Sequence, residues 1–205
     1  MNKRKGLFLT FEGPEASGKS SQILLLKKYL KKNNISFITT REPGGTKIAE
    51  SLRKLILKVK SDISIEEEIL MLMAARSHHI NNVILPALEK GKLVISDRFA
   101  DSTFVYQGYV NKFGIQNAKI LHKNILNNFL PHKTFLFKLS TKLIISRIKK
   151  RKSKNKYDKL DKNFHDQVNK GYKIIYNKKR FICIDASKPI NQIHKKIILH
   201  INSLI

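Results

Sequence analysis

The sequence predicts a three-layer α/β/α fold on a five-stranded parallel sheet, and three observations predict it. Short apolar runs alternate with amphipathic helical stretches along the chain. Most of the runs are near-continuously apolar, as strands covered on both faces must be. A glycine-containing loop, residues 13–20, joins the first run to the first helical stretch, the context in which such loops hold phosphates.

Strands are expected at 7–11, 36–40, 93–96, 134–139 and 181–185, and helices at 19–32, 48–58, 65–89, 115–127, 142–150, 161–177 and 190–204. The helix from 65 has a clear start, with Ser64 as cap and Glu66 and Glu67 in the first turn. Pro189 suits the first turn of the last helix. The chain has no repeats and no Gly/Ser linker, so residues 1–205 read as one domain. The one break in composition is a lysine-rich, glycine-free stretch at 149–162. It reads either as a solvated loop or as a cationic lid over phosphates.

The formal net charge is +26, from 41 Lys and Arg against 15 Asp and Glu. The lysines spread over every segment, tryptophan is absent, and no basic stripe carries stacking aromatics, so nucleic acid is not the expected partner. No run nears the ~20 apolar residues of a membrane span, and the apolar part of the N-terminus is too short for a signal peptide, so the cytoplasm is expected. Cys183 reads as a buried strand residue, and the seven histidines show no zinc spacing.

Gly13-Pro14-Glu15-Ala16-Ser17-Gly18-Lys19-Ser20 matches G-x-x-x-x-G-K-[ST] in full. Its backbone N–H groups and the following helix N-terminus suit phosphate oxygens; Lys19 should reach the β- and γ-phosphates, and Ser20 should ligate Mg²⁺. The loop implies ATP or GTP, and no Asn-Lys-x-Asp string is present to read guanine.

Further strings identify an acceptor. Arg41-Glu42-Pro43-Gly44-Gly45-Thr46 follows the second strand. Ala74-Ala75-Arg76 lies on the long helix. Asp97-Arg98-Phe99-Ala100-Asp101-Ser102-Thr103 follows the third strand and continues to Tyr106-Gln107-Gly108. Loops at strand C-terminal ends are where ligands bind in open α/β sheets, and arginine suits bidentate phosphate contact. In order and spacing these strings resemble the thymidylate kinases over essentially the whole chain.

The resemblance implies ATP-dependent phosphorylation of dTMP to dTDP with Mg²⁺. It places Arg98 on the acceptor 5′-phosphate, with Arg41 and Glu42 building that pocket. It places Arg76 on the thymine base and Thr103 and Gln107 at the base edge, with Ser102 in the same loop. Tyr106 falls at the deoxyribose, Glu15 at the sugar 3′-hydroxyl, and Asp97 behind Mg²⁺. It also implies a homodimer. The residues read differently alone: Tyr106 suits a core position equally well, and Arg147 and Arg151 suit a solvated loop.

The chain departs from the family pattern at three places. Ala16 stands where some members carry a loop arginine, which fits the branch whose catalytic arginines come from a lid at about 147–162, here Arg147 and Arg151. The lid's usual Asp-Arg pair is Asp158-Lys159, and lysine lacks the planar fork. Leu72 stands where a phenylalanine often stacks on thymine. A nucleic-acid-binding phosphate-loop protein, another small nucleotide kinase and a relative that binds without turnover are the competing readings.

Overall fold

The computed structural model describes residues 6–58, 62–151 and 156–205. Five parallel strands, β1 (Leu7–Glu12), β2 (Phe37–Arg41), β3 (Leu93–Asp97), β4 (Lys133–Lys138) and β5 (Phe181–Asp185), form one sheet in the order β2-β3-β1-β4-β5. Successive side chains of a strand point to opposite faces. Phe8 accordingly joins a core with Ile69, Met73 and Phe99, whereas Leu9 and Phe11 join a second with Leu26, Phe135 and Ile197. The outer strand β2 is only half-buried, and Cys183 on the other edge strand is half-buried too, rather than buried as expected.

The helices are α1 (Lys19–Lys32), α2 (Lys47–Ile56), α3 (Ile65–His79), α4 (Leu85–Glu89), α5 (Ala100–Thr103), α6 (Ile115–Leu126), α7 (Thr141–Lys149), α8 (Lys162–Ile174) and α9 (Ile190–Asn202). Ser64 and Glu67 form the reciprocal cap that opens α3. The single helix expected over 65–89 is interrupted by a π segment, Ile80–Ile84. Pro86 has no N–H for the ladder and its ring would press on the Asn82 carbonyl, so the wider turn before it relieves both. A second π segment, Phe104–Val110, continues α5 where a loop was expected.

Register sets the site. Arg41 of β2 and Phe11 of β1 both pair with Asp97, the last residue of β3. The loops leaving β1, β2 and β3 therefore emerge side by side at one edge of the sheet.

Candidate active site

After Glu12 the chain turns through Gly13, whose φ is +133° and where a Cβ would collide with the Phe137 carbonyl oxygen. Only glycine lets the loop pass this close to β4. Lys19 is buried, and its ammonium donates to the carbonyl oxygens of Gly13 (2.9 Å) and Pro14 (2.8 Å) and to Ser17 Oγ (3.2 Å). Burial, with Arg98 nearby, brings its pKa down to about 8, against the pull of Asp97, Glu15 and Glu12. Ser20 Oγ donates to Asp97 Oδ2 at 2.7 Å, so a hydroxyl and a carboxylate, hard oxygen donors suited to Mg²⁺, meet beside the loop.

Next to the loop lies a narrow cleft of about 410 Å³. Every side chain expected to touch the acceptor lines it except Arg41. Arg98 sits at φ +70°, its N–H bonded to the Phe11 carbonyl. Its guanidinium donates to Glu15 (2.9 Å), Ser102 (3.0 Å) and Tyr172 (3.3 Å) and lies 5.1 Å from the centre of the Tyr106 ring. Tyr106 OH donates to Glu15 in turn. Behind them the fully buried Glu12 accepts from the Phe99 N–H (2.7 Å), Ser102 Oγ (2.6 Å) and Tyr172 OH (2.9 Å). Burial, and then the Asp101 carboxylate, push its pKa up to about 7 although Arg98 opposes them.

At the far end of the cleft Arg76 is 2% exposed. Its Nε donates to Glu42 at 2.6 Å and its Nη2 to Thr103 Oγ1 at 2.8 Å. The other Glu42 oxygen meets His79 Nδ1 at 2.9 Å, and His79 Nε2 meets Thr40 Oγ1 at 2.7 Å. Arg76 Nη1 is buried with no hydrogen-bond partner among the described residues. An orphaned guanidinium nitrogen in a cleft is what a ligand carbonyl would satisfy.

Other expected residues sit elsewhere. Arg41 is exposed and forks onto Glu50 at 3.2 and 2.9 Å, beside Ser20 and Asp97 rather than in the cleft. Arg147 donates to the carbonyl oxygens of Ala16 (3.3 Å) and Ala186 (3.0 Å), and Arg151 pairs with Asp158 at 2.9 Å. Both arginines line a depression on the outer side of the phosphate loop with Ser17 and Gly18. Lys159 is exposed, and residues 152–155 of the expected lid lie outside the described residues.

Sequence reasoning missed Glu12's anchoring of the Arg98 loop and the roles of Glu68, His79, Tyr157 and Tyr172. Glu68 offered a signal, being a carboxylate beside the apolar run from Ile69 to Met73. Tyr172, on a lysine-rich helix, offered none.

A model of the thymidylate kinase family matches residues 11–197. The chain is 41% identical over 197 residues to the thymidylate kinase of Mycoplasma capricolum, with 94% of this chain and 92% of that protein covered. It is 38% identical over 196 residues to that of Halothermothrix orenii, covering 94% and 95%. Among solved structures it resembles thymidylate kinase from Ehrlichia chaffeensis, with a TM-score of 0.75, 31% identity and coverage of 97% and 99%.

Proposed function

The chain belongs to the thymidylate kinase family and catalyses ATP-dependent phosphorylation of dTMP to dTDP, and we propose that the cleft between Arg98 and Arg76 holds dTMP while residues 13–20 hold the ATP phosphates. The observation that carries this assignment is Arg76, fixed by Glu42 and Thr103 with Nη1 left over for a base carbonyl.

In the reaction an oxygen of the dTMP 5′-phosphate attacks the γ-phosphorus in line and ADP leaves. A phosphate monoester is already nucleophilic at neutral pH, so the protein's work is placement and charge neutralisation. Arg98 fixes the acceptor phosphate, and Glu15, held by Arg98 and Tyr106, faces the sugar 3′-hydroxyl. Lys19 exchanges the Gly13 and Pro14 carbonyls for phosphate oxygens. Arg147 and Arg151, from a lid at about 147–162, add positive charge on the donor side. Arg41, released from Glu50, adds charge at the acceptor phosphate. Ser20 and Asp97 would hold Mg²⁺, which supplies charge neutralisation on the phosphates.

Our reading also includes a cytoplasmic homodimer that makes no use of nucleic acid, with all 205 residues in one kinase domain. Leu70 on α3 and Ile120 on α6, each more than half exposed, support these helices as the pairing face, and light scattering tests it. The activity test is ADP release from Mg-ATP with dTMP, dUMP, UMP, dCMP and dAMP in turn. Highest turnover with dTMP is expected. Faster turnover of another acceptor would break the cleft assignment.

A further inference from the structure

Glu68 does no chemistry in the reaction above, yet it is a nearly buried carboxylate on α3 on which donors from two other elements converge. Gln107 Nε2, from the wall of the acceptor cleft, donates to its Oε1 at 2.7 Å. Lys156 Nζ donates to its Oε2 at 2.7 Å, and Tyr157 OH to its Oε1 at 3.2 Å. A carboxylate only accepts, so the Gln107 amide must turn its nitrogen toward Glu68. The carbonyl oxygen of that amide then has no partner among the described residues, and Gln107 lines the same cleft as the unpartnered Arg76 Nη1.

The cleft therefore offers one donor, Arg76 Nη1, and one acceptor, Gln107 Oε1. Thymine carries the complementary pair, the O4 acceptor next to the N3–H donor. Cytosine carries the reverse, an N4 amino donor next to an N3 acceptor. We propose that Glu68 is a specificity-determining positioning residue: by holding the Gln107 amide in one orientation it presents Oε1 to the N3–H of thymine and turns cytosine away. Lys156 and Tyr157 make the arrangement one-way, because a group at position 68 that could donate would meet two donors of their own. The inference rests on the acceptor-cleft reading above.

The test is kcat/KM for dTMP and for dCMP in wild type, Glu68→Gln, Gln107→Met and the double variant. Glutamine at 68 can donate as well as accept, which frees the Gln107 amide to flip. Methionine at 107 removes the acceptor at nearly constant volume. Each single variant should lower the dTMP-to-dCMP ratio by about tenfold or more, the scale of one lost base hydrogen bond, and the double variant should lower it no further. A structural disturbance alone would slow both acceptors alike and leave the ratio in place. If the wild type prefers dTMP and Glu68→Gln or Gln107→Met keeps the wild-type ratio, the role of Glu68 is overturned while the cleft assignment stands. A wild type without preference for dTMP overturns both.

Discussion

In the acceptor cleft nearly every charge is held by another side chain, whereas on the donor side charges are held by backbone carbonyls or stand in solvent. Arg76 answers to Glu42 and Thr103, Glu42 to His79, and Arg98 to Glu15 and Ser102. Across the loop, Lys19 leans on the Gly13 and Pro14 carbonyls and Arg147 on those of Ala16 and Ala186. Side-chain networks fix orientation and so can read a base. Backbone groups read phosphates, which every nucleotide shares. The cleft should thus be the selective and fragile half, and the donor side the tolerant half.

Arg98→Ala should have the largest effect, lowering kcat/KM for dTMP about a thousandfold while the KM for ATP moves little. Equal losses toward both substrates would erase the contrast between the halves. Arg76→Ala strands Glu42 as a buried charge and should cost roughly 3 kcal/mol of folding stability, read by urea denaturation. The paired change Arg76→Met with Glu42→Gln should recover much of it.

Glu12 sharpens the fragility by pH. Its folded pKa, about 7, stands above the unfolded 4.5. The folded chain therefore keeps a proton that the unfolded chain has shed. The stabilisation is full below pH 4.5 and is lost as the pH rises through 7. Between pH 5 and pH 8 wild type should lose about 2 kcal/mol that Glu12→Gln does not, seen in the shift of the denaturation midpoint. Arg147→Ala should show the smallest change, raising the KM for ATP about tenfold with stability altered by less than about 0.5 kcal/mol. A large drop in stability would mean that the donor side also rests on side chains.

The strands and the phosphate loop were legible because they depend on local pattern: Leu7 to Phe11 is an apolar run and the glycines of 13–20 permit few other conformations. The cleft's outline was legible through its arginines. Its supporting layer was not, since His79 and Tyr172 meet Glu42 and Glu12 across separations of 37 and 160 residues that no local pattern encodes. Arg41 shows a different difficulty: its partner Glu50 is only nine residues away, but nothing in the string between them forecasts a fork on the outer side of the sheet edge. The π segments escaped because Phe104-Val105-Tyr106 followed by Gly108 has the composition of a strand or a loop rather than of a helix.

The widened helix at Phe104–Val110 has a consequence for how the gene can vary. Thr103 and Gln107 face the cleft one after the other, and a π turn carries nearly one residue more than an α turn. Loss of a single codon between 104 and 110 would let the turn relax to α geometry and rotate every later side chain of the segment by about a quarter turn or more. Length changes here are therefore expected to be purged even where substitutions are accepted, whereas the exposed stretch around Lys112 can absorb an added or missing codon without moving the cleft.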